Sequence, residues 1–414
     1  MVDAQSAPRR IPPVVNLLRR IPLAAWTGIH TDHVRPDARW KARVLPNDET
    51  VRFLSVDGAY EPSEAAQPFA AYLDDLTTDD LVGFYREMVV VRRMDQEGHN
   101  LQRQGQLGLW VPSQGQEAAQ IGSAHAARRQ DHLFPSYREH AVAYARGVDL
   151  IGVVALLRGL THGGWDATDP TNGNVHNYTL VIGSHALHAT GYAMGVALDG
   201  MVGTGTEDDT AVLCYFGDGA TSQGDVSEAF VFSASSQAPV VFFVQNNQWA
   251  ISVPVTTQSR VPLVERPRGF GIPSTQIDGN DVLASYAATR MHLDAARAGE
   301  GPRMIEALTY RLGAHTSSDD PTKYQAPELL AEWQAKDPVP RLRRYLESLG
   351  VDGATFESID VEAEDHAADI RRRTHELPVP EASALFDHVY SEPHPVMVEQ
   401  KDWLARYESS YGAA

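Results

Sequence analysis

The sequence predicts an α/β fold: a parallel sheet with crossover helices, preceded by an extended N-terminal arm and followed by a helical C-terminal tail. Three observations predict it. The runs "TAVLCYF", "APVVFFVQ" and "PRMIEALTYRL" are β-rich and separated by helical segments, the alternation that builds a parallel sheet. Residues 1 to about 75 are punctuated by proline and show little helical periodicity. From about residue 327, helical patterns follow one another to the end. The expected organisation is an arm over 1–75, a sheet-bearing domain over 76–326 and a helical region over 327–414.

The arm contains short strand-like pieces such as "TVRFLSV". Its opening stretch, "SAPRRIPPVVNLLRRIPLAAW", carries four arginines and no acid between Asp3 and Asp32, the composition of a transit peptide. Pro12, Pro13 and Pro22 interrupt any long amphipathic helix there, so an arm that packs on a neighbour is the preferred reading. From Thr78 a capping residue, early acids, apolar residues at helical spacing and Gly105 just past the end predict one long helix. Between about 105 and 205, helical patches such as "GQEAAQIGSAHAARR" alternate with loops such as "THGGWDATDPTNGNVHNYT", and loops of that length are usually functional or disordered. The tail opens with "PELLAEWQAKDPVPRLRRYLESLG".

Composition narrows the function. With 414 residues, 43% of them hydrophobic, the chain buries a substantial core. A net charge of −19 repels polyphosphate backbones, and no basic stripe with interleaved aromatics is present, so nucleic acid is not an expected partner. The single cysteine, Cys214, rules out an intrachain disulfide and a Cys-rich metal site, and suggests a reducing compartment. No run of about 18 apolar residues predicts a membrane span. A cytoplasmic location is expected, with the mitochondrial matrix as the alternative.

In open parallel sheets, ligands gather outside the carboxyl ends of the strands. Here the first run ends in Gly217, Asp218 and Gly219, the second in Gln245, Asn246 and Asn247, and the third leads to a loop holding His315. The glycines allow backbone N–H groups to approach an anion, and a helix expected from near Ser222 aims its positive end at the same place. A carboxylate beside a phosphate is repulsive unless a cation lies between them. Mg²⁺ is the natural candidate, because Asp218, the amide oxygen of Asn247 and a nearby backbone carbonyl supply hard oxygen ligands.

Thirty positions separate Gly217 from Asn247, and Gly-Asp-Gly at one end with Asn-Asn at the other resembles the thiamine diphosphate signature. Together with "LQRQGQLG", "PSYREH", "CYFGDGATSQGD", "FFVQNNQWAIS", "QIDGNDV" and "EALTYRLGAHTSSDDPTKY", it makes nearly the whole chain similar to the alpha subunits of thiamine-dependent 2-oxo acid dehydrogenases. The early arm and the "HTSSDDP" loop resemble the branched-chain type more than the pyruvate type. The resemblance implies a thiamine diphosphate-binding fold and assigns roles by position. Asp218, Asn247 and the carbonyl of Trp249 become the Mg²⁺ ligands, with Trp249 replacing the usual tyrosine. Ser136, Tyr137, Arg138, Gly217, Gly219 and Ala220 fall around the diphosphate, Ser184 and Ala186 beside the middle of the cofactor. Gln245 stands where relatives often carry an arginine, which implies a phosphate contact that is weaker or supplied by another residue.

His315 matches the family's active-site histidine at the base of a mobile loop, where it would donate to a phosphate and exchange protons near neutral pH. Leu109, with Tyr137 and Ser184, falls at the substrate, and Leu109 replaces a usual aromatic. Thr316 occupies the position of the eukaryotic regulatory serine, but no such regulation is expected here. The implied reaction is oxidative decarboxylation of a branched-chain 2-oxo acid, with acyl transfer to a lipoyl-bearing dihydrolipoyl acyltransferase; a pyruvate or acetoin dehydrogenase alpha subunit is the alternative, and a non-enzymatic scaffold that keeps the fold without the cofactor is the distant one. The glutamate that activates the cofactor belongs, in this family, to a beta subunit. The chain is therefore expected to be inactive alone and to work in a heterotetramer of two alpha and two beta chains. His176, His185 and His188 invite a zinc reading, but they lack an HExxH helix and a clear third ligand; His176 and His185 are instead candidates for the substrate channel. "GTGTED" at 203–208 precedes a strand rather than following one, unlike a dinucleotide loop.

Overall fold

The structure, a computed structural model, describes residues 49–161 and 163–411. Five strands form one parallel sheet: β1 (His132–Phe134), β2 (Val212–Gly217), β3 (Val240–Asn246), β6 (Ser274–Asp278) and β7 (Arg303–Leu308), in the order β1-β2-β3-β7-β6. Two further strands, β4 (Trp249–Ala250) and β5 (Val253–Pro254), make a small antiparallel ribbon. The three apolar runs are β2, β3 and β7, which lie side by side at the centre of the sheet. Each is covered on both faces, which explains why they read as continuous hydrophobic stretches rather than alternating ones. The edge strands are less conspicuous. β1 has three residues, and β6 begins with the half-buried polar residues Ser274, Thr275 and Gln276.

Helices Glu117–Ala126 and Val282–Arg297 pack closely with each other over one face. A Cβ at Gly122 would lie 2.6 Å from the Val282 carbonyl oxygen, so this helix crossing depends on a residue without a side chain. On the other face, the crossover helix Gly224–Ser236 places Phe230 against Phe242 of β3, with ring centroids 5.0 Å apart. The helix expected from near Ser222 starts at Gly224. A 3₁₀ turn, Asp218–Ser222, precedes it, tightened by the Thr221 hydroxyl donating to the Asp218 carbonyl at 2.7 Å.

The long helix Thr78–Arg103 begins in a reciprocal cap between Thr77 and Asp80. Gly98 within it is required by packing: a Cβ there would sit 2.2 Å from the Trp110 indole. Helix Gly353–Glu376 lies along this helix through the Arg371–Glu97 and Arg93–Glu364 ion pairs. Residues 49–73 pack on the domain. Val51 bridges to Ile277 in parallel, and the Phe53 and Leu54 N–H groups donate to the Asp281 carboxylate at 2.6 and 2.7 Å. The transit-peptide question concerns residues outside the described ones. No helix among the described residues is long and apolar enough to cross a membrane.

Candidate active site

The parallel register brings the three strand ends together. Gly217 of β2 pairs with Gln245 of β3, and Asn246 of β3 with Leu308 of β7. Beyond these residues a cavity opens, lined by Ser136, Tyr137, Arg138, Gly217, Asp218, Gly219, Ala220, Asn247, Trp249 and His315 from the sequence-predicted set.

Asp218 is 1% exposed. Its Oδ2 accepts one hydrogen bond, from Gln258 Nε2 at 3.0 Å, and its Oδ1 has no partner. Burial pushes this carboxyl up to about 6, because water is removed and little replaces it. Asn247 is oriented by its neighbours: Oδ1 accepts from the Trp249 N–H at 3.2 Å, and Nδ2 donates to Gln116 Oε1 at 3.3 Å. The Val255 N–H donates to the Gln248 carbonyl, which makes Trp249 and Pro254 the non-hydrogen-bonded pair of the ribbon. The Trp249 carbonyl is therefore not consumed by the ribbon ladder. An unpaired carboxylate oxygen, an amide oxygen and a backbone carbonyl form a donor set suited to a hard divalent cation. Gly219 closes the same corner: a Cβ there would come within 2.9 Å of the Ala250 Cβ.

Opposite lies a group of cations around His315. Arg138 donates through Nη1 to the Pro112 carbonyl at 2.5 Å and through Nη2 to the His315 carbonyl at 3.1 Å. The same Nη2 lies 3.0 Å from His315 Nδ1, and Arg311 Nη1 lies 3.4 Å from it. Guanidinium nitrogens only donate, so Nδ1 is the acceptor and the ring proton sits on Nε2. Burial, reinforced by Arg138 and Arg311, holds the imidazole down to about 3. In this arrangement His315 is a neutral ring that carries its proton on Nε2.

Arg311, which sequence reasoning did not single out, also donates to the Ile251 carbonyl at 2.7 Å and to the Tyr324 hydroxyl at 2.6 Å. Asp319 accepts from the His315 N–H at 2.8 Å and from the Tyr324 hydroxyl. The loop is fastened at its far side by a reciprocal pair: Trp110 N–H to Ser317 Oγ and Ser317 N–H to the Trp110 carbonyl, each 2.9 Å.

Glu139 folds back under the 136–138 turn. Its Oε2 accepts from the Ser136 N–H and hydroxyl, both at 2.8 Å, and its Oε1 from Gln245 Nε2 at 2.6 Å. Gln245 Oε1 in turn accepts from Gln120 Nε2 at 2.9 Å. Gln245, which also lines the cavity, thus braces the turn that presents Tyr137 and Arg138.

Three expected residues do not line this cavity in the chain: Leu109, Ser184 and Ala186. The Ser184 hydroxyl is turned to the Val181 carbonyl at 3.0 Å, and Ala186 is fully buried in the first turn of its helix. Leu109 is half-buried and immediately precedes the buried Trp110. His176 stacks on Phe134 with centroids 3.8 Å apart and lies off the cavity, as does the exposed His188; His185 lines it.

The sequence model of the dehydrogenase E1 component matches residues 85–382. The 3-methyl-2-oxobutanoate dehydrogenase subunit alpha of Mycobacterium tuberculosis (strain ATCC 25618 / H37Rv) is 41% identical over 335 residues, covering 80% of this chain and 89% of that protein. The pyruvate dehydrogenase E1 component subunit alpha of Staphylococcus aureus (strain COL) is 38% identical over 279 residues, covering 67% of this chain and 73% of that protein.

Proposed function

The chain belongs to the dehydrogenase E1 component family, and from that premise we propose that it is the alpha subunit of a branched-chain 2-oxo acid dehydrogenase, acting on 3-methyl-2-oxobutanoate. The family is thiamine diphosphate-dependent. One observation supports the cofactor site above the others: Asp218 is buried with a carboxylate oxygen that has no hydrogen-bond partner, in a cavity that Asn247 and Trp249 also line. In this reading those three groups would hold Mg²⁺, whose charge would offset that of the buried carboxylate beside a diphosphate.

Backbone N–H groups at Gly219 and Ala220, the Arg138 guanidinium and the Nε2 proton of neutral His315 supply the donors for the phosphate oxygens. Glu139 and Gln245 keep the Arg138 turn in place, and Arg138 and Arg311, donating to Nδ1, keep His315 in its donor tautomer. When bound, thiamine diphosphate supplies the carbon nucleophile and the electron sink that decarboxylation of a 2-oxo acid requires. In the same proposal a beta subunit completes the site with its glutamate. The assembly is a heterotetramer of two alpha and two beta chains, the acyl acceptor is a lipoyl-bearing dihydrolipoyl acyltransferase, and the location is cytoplasmic.

The test is carbon dioxide release from 3-methyl-2-oxobutanoate and from pyruvate by the chain co-expressed with its beta partner, with thiamine diphosphate and Mg²⁺. Preference for the branched acid, lost in Asp218→Ala, is the expected result. Preference for pyruvate would keep the chemistry and overturn the substrate assignment. Release from neither would overturn the enzymatic reading.

A further inference from the structure

The long helix Thr78–Arg103 carries a carboxylate to which the cofactor reading gives no task. Asp95 is 4% exposed and does not line the cavity. Its Oδ1 accepts from the Trp110 indole N–H at 3.1 Å, and its Oδ2 accepts from the Ser113 N–H at 2.7 Å and the Ser113 hydroxyl at 3.1 Å. All of these donors are neutral. Arg92, on the same helix, is committed to Glu117 and Asp337. Burial, with the charge of Glu117 added, pushes the Asp95 carboxyl up to about 7. A carboxylate buried without a counter-ion lowers stability unless its hydrogen bonds offset the lost water, so what those bonds hold is informative.

They hold residues 110–113, a segment outside any helix or strand. Trp110 makes the reciprocal pair with Ser317 on the His315 loop. The Val111 carbonyl accepts from His140 Nε2 at 2.7 Å, and the Pro112 carbonyl accepts from Arg138 Nη1 at 2.5 Å. Thus every residue from Trp110 to Pro112 bonds to the His315 loop or to the 138–140 stretch that follows Tyr137. No ladder or helix fixes this segment, and Pro112 has no N–H to contribute. Asp95 fixes it at both ends, through Trp110 and through Ser113.

We propose that Asp95 is a positioning residue for the cavity: by holding Trp110 and Ser113 at once, it keeps the Pro112 carbonyl on the Arg138 guanidinium and the Trp110 backbone on the His315 loop. The Arg138 half rests on the cofactor reading given above, in which that guanidinium donates to the diphosphate; the loop half does not. A carboxylate suits the place because both of its oxygens meet donors. An amide there offers one oxygen, and its NH₂ would face either the indole N–H or the Ser113 N–H. Asp95→Asn therefore keeps the size of the side chain and loses one anchor.

The experiment uses the purified alpha–beta assembly and reads two quantities. One is the rate of tryptic cleavage after Lys323, an exposed residue on the stretch that follows His315, against cleavage after Arg372 in helix Gly353–Glu376. The other is the affinity for thiamine diphosphate with Mg²⁺, by isothermal titration. Asp95→Asn is expected to speed cleavage after Lys323 about tenfold and leave that after Arg372 unchanged, and to weaken thiamine diphosphate about fivefold. Trp110→Phe removes the indole donor and keeps an aromatic ring; it is expected to act like Asp95→Asn, and the double variant no more strongly than either. It carries the same test if Asp95→Asn does not assemble. On an Arg138→Gln background, Asp95→Asn is expected to change the affinity by less than about twofold, which a general loosening of the fold would not produce. Equal acceleration at both cleavage sites, no acceleration at Lys323, or an undiminished affinity loss without Arg138 would overturn the inference and leave the cofactor reading intact. If the unaltered assembly bound no thiamine diphosphate, the cofactor reading and the Arg138 half would fall, and the cleavage rates would decide the loop half.

Discussion

Two buried carboxylates, Asp218 and Asp281, sit at opposite extremes of satisfaction. Asp281 is fully buried and accepts from the backbone N–H groups of Phe53, Leu54, Leu283 and Ala284. Arg341 lies 3.9 Å away and is itself paired with Asp278 at 2.9 Å. Asp218 is equally buried and has one side-chain amide. Burial pushes both carboxyls up, yet the chain surrounds one with donors and leaves the other short of them. Asp281 is built to hold the N-terminal segment on the sheet. Asp218 is built to receive a charge from outside.

The largest expected effect lies on the structural side. Asp281→Ala strands buried N–H groups and removes a neighbouring charge from Arg341, and should cost about 3–5 kcal/mol of stability in denaturant unfolding. A loss below about 1 kcal/mol would remove the contrast. Asp218→Ala should do the reverse. In calorimetry without Mg²⁺ its unfolding temperature should equal or exceed that of the unaltered chain, while thiamine diphosphate affinity with Mg²⁺ should fall by more than about a hundredfold.

Titration sharpens the same comparison. Asp218 takes up a proton near pH 6 in the folded chain, above the ordinary carboxylate range, so its contribution to stability declines as pH rises through that interval. Below about pH 6 a cation must displace this proton, and Mg²⁺ affinity should drop by up to about tenfold per pH unit, with little change above it. Isothermal titration at several pH values reads this directly, and Asp218→Asn should flatten the dependence. The smallest effect belongs to Gly219→Ala, where the added Cβ crowds Ala250. A cost of about 1 kcal/mol in cofactor binding is expected, with the fold retained.

Much of this was legible in the sequence because it is local. The runs forming β2, β3 and β7 are apolar on both faces, and each hands over to polar residues at the carboxyl edge, so Gly217, Asp218, Asn247 and His315 could be placed together before any coordinates. The edge strands β1 and β6 were not legible as strands: one is three residues long and the other starts with polar residues. Contacts between distant residues left no local trace. Nothing in "PSYREH" says that Glu139 is capped by Gln245, 106 positions away. Arg311 lies four residues before His315, but its bonds to Ile251 and Tyr324 depend on the fold.

The reciprocal pair between Trp110 and Ser317 joins the His315 loop to the segment whose indole fills the space left by Gly98 in the long helix. That pair gives the loop a clock. The Ser317 amide exchanges with deuterated solvent when the bond to Trp110 opens, so its protection counts how often the loop lets go of the scaffold. Filling the gap at Gly98 or shrinking the indole would set the clock running faster, without altering any residue that lines the cavity.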